Sequence, residues 1–116
     1  MGEDALQQAH ERRIGGDYEP AIELYRELLE EDASLAEALW GLGLCLMNIG
    51  EFDEALATLD SAVQAEPDSQ QFLLDAGKHY TMLGMYDEAR PYFDKVIELN
   101  PDSQLAGEAQ KQLSYY

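Results

Sequence analysis

The sequence predicts an all-α protein, a right-handed α-solenoid of antiparallel helix pairs with about seven helices. The first observation is a six-residue phrase that recurs every 34 residues, at 16–21, 50–55 and 84–89. The second is a small residue 12 positions before the alanine that closes each phrase. The third is a stripe of apolar residues at helical spacing after each phrase. A fixed period of this length is typical of stacked supersecondary units rather than of one globular core.

Each period carries signals for two helices and for the turn between them. The small residues let the two helices approach closely, and they are Ala9, Gly43 and Gly77. The glycine that opens each phrase ends the first helix, because glycine accepts the left-handed conformation of a helix C-terminus. An aromatic residue follows, and then acidic residues that suit the first turn of the second helix by complementing its dipole.

Stop and start signals separate one period from the next. Pro67 and Pro101 each end a second helix. The serines that fit the N-cap of a following helix are Ser34, Ser69 and Ser103. The helices are expected near 3–15, 18–32, 35–49, 52–65, 69–83, 86–99 and 103–114. The loops are short, so neighbouring helices should run antiparallel. We expect a single domain over 1–116, with repeats at about 2–35, 36–69 and 70–103 and a capping helix at about 103–114.

The composition indicates a folded, soluble protein. The hydrophobic fraction of 46% is ordinary for a globular chain of 116 residues. No apolar run approaches the 18 or so residues of a membrane span, and the acidic N-terminus does not resemble a secretory signal. Cys45, the single cysteine, lies between leucines and is expected to be a small buried core residue. These observations favour a cytoplasmic location.

The net charge of −17 is extreme for a chain of this size. Nucleic acid is a poor partner, because phosphate binding needs a basic patch and the seven basic residues form none. Three interpretations of the acidity remain open. It can be a solvated surface, it can steer a basic partner, or it can be an adaptation to high internal salt.

No constellation of residues predicts an enzyme, a metal site or a cofactor. His10 and His79 have no second histidine or cysteine at ligand spacing. The carboxylates are numerous, but nothing singles out an acid–base pair. Gly41 and Gly43 belong to a helical stripe and do not follow a strand, so they do not predict a phosphate-binding loop.

The repeated pattern resembles the tetratricopeptide repeat (TPR) family, a 34-residue helix–turn–helix. The small residue of the family pattern is matched by Ala9, Gly43 and Gly77. Its turn aromatic is matched by Tyr18, Phe52 and Tyr86. Its alanine is matched by Ala21, Ala55 and Ala89, and its closing proline by Pro67 and Pro101. The resemblance covers about 3–103 in three copies, and a helix with Leu105, Ala109 and Leu113 resembles the capping helix that closes such arrays.

The resemblance implies a concave groove lined by the first helices of successive repeats. Carried over position by position, the peptide-binding groove comprises Leu6, His10, Arg13, Trp40, Leu44, Met47, Asn48, Leu74, Asp75, Lys78 and Met82. One alternative is that Trp40 turns inward, because the tryptophan of the family pattern corresponds to Leu39. The Lys, Arg and Asn clamp with which some members grip acidic chaperone tails is absent here.

The functional expectation is a non-enzymatic adaptor that binds a peptide or helix of a partner protein in this groove. An alternative is a self-associating structural module within a larger protein or assembly, with a homo-oligomer as one form. A further alternative resembles the secretion-type chaperones of this fold, which cradle apolar segments of their clients. The expected partners therefore include a protein or peptide and exclude nucleic acid and membrane insertion.

Overall fold

The computed structural model describes the backbone of residues 2–116 and the side chains from Ala5 onward. Within these residues the regular structure consists of seven α-helices and no strand. The helices are α1 (Gly2–Ile14), α2 (Tyr18–Glu31), α3 (Ala36–Asn48), α4 (Phe52–Ala65), α5 (Gln70–Met82), α6 (Tyr86–Leu99) and α7 (Gln104–Leu113). The predicted all-α fold of helix pairs is confirmed, and each predicted helix end lies within one residue of the observed end.

Left-handed glycines end the first helix of each pair, as the sequence predicts. The backbone φ angles are 87° at Gly16, 86° at Gly50 and 77° at Gly84. The residue after each glycine donates its N–H to a carbonyl five residues earlier, with N–O distances of 2.8, 2.9 and 2.9 Å. A side chain at these glycines would strain the turn, because L-residues rarely adopt such φ values.

Two of the three serines predicted as N-caps hold that position. The Ser69 hydroxyl accepts a hydrogen bond from the Phe72 N–H at 3.2 Å, and the Ser103 hydroxyl accepts one from the Ala106 N–H at 3.0 Å. The prediction for Ser34 is wrong. The N-cap of α3 is Leu35, and the Ser34 hydroxyl donates instead to Asp32 at 3.0 Å.

The first compact unit, Met1–Ala65, contains α1 to α4. In it α1 packs on α2, α2 on α3 and α3 on α4, and α1 also lies against α3. Small residues set the closest approach of the paired helices. A Cβ on Gly43 would lie 2.6 Å from Leu59 Cγ, which is closer than carbon atoms can approach. The core of this unit includes Ala9, Ala21, Tyr25, Cys45, Leu46 and Leu59.

The second compact unit, Glu66–Tyr116, contains α5 to α7. Here α5 packs on α6, and α7 packs on both. The aromatic ring of Phe93 occupies the space that a side chain at Gly77 would need. The predicted capping helix buries Ala106 and Ala109, while Leu105 and Leu113 are half-buried.

No helix of the described residues has both the length and the apolar content needed to cross a lipid bilayer.

Candidate functional site

Trp40 lies half-buried on α3, on the side that faces α1. The Arg13 guanidinium carbon lies 4.7 Å from the centroid of the Trp40 ring. The His10 ring meets Trp40 edge to face, with centroids 5.9 Å apart. Both Arg13 and His10 belong to α1, so the contacts of Trp40 join the first helices of two successive repeats.

The hydroxyl of Tyr25 reaches the same place from α2. It lies 2.5 Å from His10 Nδ1, and Arg13 Nε donates a hydrogen bond to it at 3.2 Å. The ring of Tyr25 passes close to α3 at Gly41, where an added Cβ would overlap its outer atoms. A glycine in mid-helix is therefore required for Tyr25 to extend between α1 and α3.

The hydroxyl of Tyr25 links His10 and Arg13 in one hydrogen-bond chain. Arginine only donates, so the Tyr25 oxygen accepts from Arg13. In the His10 tautomer with its hydrogen on Nε2, the Tyr25 hydroxyl donates to Nδ1. The Nε2 atom faces Glu37 Oε2 at 3.4 Å. We call this group the Trp40 cluster; its members are His10, Arg13, Tyr25, Glu37 and Trp40.

Burial moves the ionisation of two weakly acidic groups, Tyr25 and the neighbouring Cys45, further above neutral pH. Burial raises the pKa of Tyr25 above its ordinary 10.0, although the hydrogen bond and charge of Arg13 act in the opposite direction. Burial also raises the pKa of the Cys45 thiol to about 11, with Arg13 opposing it. Both groups are therefore protonated at neutral pH, and the Tyr25 phenol keeps its hydrogen.

The other groove residues predicted in the first unit differ in accessibility. Leu6 and Leu44 are half-buried, and Asn48 is exposed with its amide donating to the Leu44 carbonyl at 2.8 Å. Met47 is only 5% exposed. Its side chain therefore has little accessible surface.

The groove residues predicted in the second unit follow the same division. Leu74 is 1% exposed and Asp75 is 9% exposed, so both are buried. Asp75 accepts a hydrogen bond from the Gln71 amide at 3.1 Å. Lys78 is half-buried, and Met82 at the end of α5 is 70% exposed. Of the predicted groove residues on α5, Lys78 and Met82 are therefore the ones with accessible surface.

Sequence analysis did not single out Tyr25, Glu37 or Gly41 as site residues. One signal for Tyr25 was present, because the positions 34 and 68 residues later hold Leu59 and Phe93, which have no hydroxyl. A polar atom at a position that otherwise packs against the small residue needs a partner. Within the described residues, no group of three or more His, Cys, Asp or Glu side chains is arranged to hold a metal ion.

Comparison with protein families decides the classification of the chain. A family model described as tetratricopeptide repeat matches residues 14–74 and again 52–113. The chain belongs to the tetratricopeptide repeat family. The two matches overlap and extend over most of the sequence, which agrees with the periodicity that the sequence shows.

Individual relatives match this chain at modest sequence identity. A probable UDP-N-acetylglucosamine–peptide N-acetylglucosaminyltransferase, SPINDLY, of Hordeum vulgare is 33% identical over 79 residues, which are 68% of this chain and 8% of that protein. The chain therefore spans less than a tenth of that relative. The Yersinia enterocolitica type III secretion translocator chaperone SycD superposes with a TM-score of 0.89 at 20% identity, covering 97% of this chain and 81% of its own.

A third relative is described by its peptide site. YrrB, described as a TPR protein with an unusual peptide-binding site, superposes with a TM-score of 0.82 at 25% identity. The match covers 95% of this chain and 57% of YrrB. The helical-solenoid fold class predicted from the repeats is thus confirmed by structures that share little sequence with this chain.

Proposed function

We propose that this TPR chain is a non-enzymatic interaction module that binds a peptide or helix of a partner protein on the α1–α3 surface around Trp40. The observation that carries the proposal is the half-buried indole, with Leu6 and Leu44 also half-buried on the same two helices. Tryptophan is enriched among the residues that dominate binding energy at interfaces. An amphipathic or extended segment can bury apolar side chains against such a surface.

Two further observations support this function. The family is one of protein-interaction repeats, and YrrB is described as having a peptide-binding site. On α5, Lys78 and Met82 offer a second set of contacts within their own unit. The proposal includes a cytoplasmic location, the absence of a cofactor and no role for nucleic acid, in keeping with the net charge of −17.

The test uses the full chain as bait, with Trp40→Ala compared with the unchanged protein. Proteins captured from a lysate of the source organism are identified, and the binding segment is synthesised for measurement of Kd. We expect Trp40→Ala to weaken binding at least tenfold, since truncating an interface tryptophan often costs 2 kcal/mol or more. Circular dichroism should show the same helical content for both proteins.

Tyr115→Ala is the matched control, because it truncates an exposed aromatic side chain in the other unit. It should leave Kd unchanged. A folded Trp40→Ala variant that binds normally would place the partner on another surface and overturn the proposed site. If Trp40→Ala unfolds, Leu44→Gln on the next turn of α3 provides the same test. Should sedimentation show that the chain itself occupies the Trp40 surface as an oligomer, the self-associating module replaces the adaptor.

A further inference from the structure

We infer that Arg13 receives the carboxylate of an Asp or Glu side chain from the partner segment, next to the apolar contact with Trp40. This inference rests on the proposed function and specifies the chemistry of the ligand at the same surface. It assigns Arg13 the role of a fixed anchor for an acidic residue, and Trp40 the role of the neighbouring apolar platform.

Two contacts hold the Arg13 guanidinium in place before any partner arrives. The central carbon of the guanidinium lies 4.7 Å from the Trp40 ring centroid, and Arg13 Nε donates a hydrogen bond to the Tyr25 hydroxyl at 3.2 Å. Tyr25 is fully buried, so the acceptor is confined by the side chains packed around it. An arginine that is already stacked and bonded loses little side-chain freedom on binding, which favours affinity.

The two terminal amino groups of Arg13 remain available. Among the described side chains, no carboxylate lies within 4.0 Å of the Arg13 guanidinium, although Asp and Glu number 24 in the sequence. The neighbouring Arg12 pairs with Asp17 at 3.5 Å, and Arg26 pairs with Glu54 at 3.1 Å. Both of those arginines are exposed, whereas Arg13 is half-buried.

A carboxylate is the group that fits this geometry. The paired amino groups of a guanidinium match two carboxylate oxygens, and such bidentate bonds are among the strongest hydrogen bonds in proteins. Partial burial reduces screening by water, so the pair should contribute more than an exposed ion pair does. Arg90 also lies over an aromatic ring, that of Tyr116, but it is exposed and serves as a contrast.

The overall charge of the chain opposes the binding of an acidic peptide. A chain with a net charge of −17 attracts basic peptides through its long-range field. A preference for acidic peptides is therefore the opposite of what the net charge predicts, and it would have to come from a local site. Glu37 bonds to His10 at 3.4 Å, and it is the nearby carboxylate that a partner acid must avoid.

The first experiment uses a phage-displayed library of random dodecapeptides as the probe, with peptides that carry no free carboxyl terminus. Panning on the full chain should select peptides with an Asp or Glu close to an aromatic or aliphatic residue. Arg13→Met should abolish the acidic preference while the apolar preference persists. Arg12→Met, which removes the same charge one residue away, should leave both preferences intact.

The second experiment measures the coupling between Arg13 and the selected acid. Synthetic, amidated peptides with Glu and with Gln at the selected position are titrated against the unchanged chain, Arg13→Met and Arg13→Lys. We expect the Glu→Gln change to weaken binding to the unchanged chain about tenfold, in the range for hydrogen bonds to charged groups. Against Arg13→Met it should have no effect, and Arg13→Lys should retain only part of the difference because it lacks the planar fork.

The outcomes separate failure of this inference from failure of the proposed function. If panning selects apolar peptides without enrichment of Asp or Glu, the inference about Arg13 is overturned. It is also overturned if Arg13→Met enriches acidic peptides as strongly as the unchanged chain does. In both cases the proposed Trp40 surface is retained. If the Trp40→Ala variant selects the same peptides equally well, or if the unchanged chain selects none, both the proposed Trp40 site and the inference about Arg13 are overturned. If the Glu→Gln change in the peptide still weakens binding to the folded Arg13→Met variant, the acidic side chain contacts a residue other than Arg13.

Discussion

At the scale of single residues, Gly41 and Tyr25 form one packing unit that holds the Trp40 cluster together. The Tyr25 hydroxyl bonds to His10 and Arg13 of α1, and its ring fills the space beside Gly41 of α3. The hydroxyl would be costly without these partners, because Tyr25 is fully buried. The geometry of the surface thus depends on a residue that is itself inaccessible to solvent.

The first prediction tests this packing unit with Gly41→Ala. The added methyl group would overlap the Tyr25 ring, so we expect a loss of about 1–3 kcal/mol in unfolding free energy, the usual range for overpacking. Tyr25→Leu, which reproduces the residue found at position 59, should make room for it. Chemical denaturation of both single variants and the double variant gives the coupling. Simple additivity of the two losses would contradict the contact.

The second prediction concerns stability at alkaline pH. The folded state holds the Cys45 proton more tightly than the unfolded state does, with a pKa of about 11 against 9.0. Stability should therefore be fully present below pH 9 and should fall as the pH rises towards 11. At about 1.4 kcal/mol per pKa unit, the loss is on the order of 3 kcal/mol. Tyr25 acts in the same direction at higher pH, because its pKa is raised above 10.0.

Cys45→Ala separates the thiol from the other titrating groups. The variant should be less stable at pH 7, because it loses a buried sulfur atom, but its unfolding free energy should fall less steeply between pH 9 and pH 11. Urea unfolding at a series of pH values measures both slopes. Parallel curves for the two proteins would show that Cys45 titrates alike in the folded and unfolded states.

The sequence predicted part of the candidate site. The family resemblance assigned His10, Arg13 and Trp40 to one groove, and the contacts of these side chains in the structure join α1 to α3. Register could not predict which large side chains are accessible, because burial depends on helices that are distant in sequence. Leu74 is 1% exposed, whereas Met82, two turns further along α5, is 70% exposed.

At the scale of helices, the ends were predictable because local chemistry determines them. Gly16, Gly50 and Gly84 adopt the positive φ that glycine tolerates, so the first helices end where the sequence predicts. Ser69 and Ser103 accept the N-cap hydrogen bonds of α5 and α7. Ser34 was misassigned because the first period holds Leu35 at the N-cap, and propensity alone does not reveal a shift of one residue.

The third prediction tests the contact between α3 and α4. Ala55 is fully buried where these helices meet, and Ala57 on the same helix is exposed. Ala55→Leu should lower the unfolding free energy by about 1–3 kcal/mol, because the added atoms have no space beside Gly43. Ala57→Leu adds the same atoms towards water and should change stability by less than about 0.5 kcal/mol. Equal melting temperatures for the two variants would mean that the helical register is wrong.

At the scale of the whole molecule, the net charge of −17 is a property that opposes folding. Repeat proteins gain stability from contacts between neighbouring units, and like charges spread along the chain oppose compaction. The sequence predicted the fold in spite of this charge because the repeat signals are local. It could not distinguish the three interpretations of the acidity, because each of them permits the same composition.

The fourth prediction distinguishes screening from adaptation to high salt. The Debye length falls from about 30 Å at 0.01 M salt to about 3 Å at 1 M, so the melting temperature should rise clearly between these limits. Glu30→Gln/Glu31→Gln is the matched variant, because both residues are exposed in the last turn of α2, where no basic residue offsets the helix dipole. It should melt higher than the unchanged chain at 0.01 M and show a shallower rise. A flat salt dependence would remove the repulsion argument. A rise that continues well beyond 1 M, where screening is nearly complete, would favour adaptation to high internal salt over steering of a basic partner.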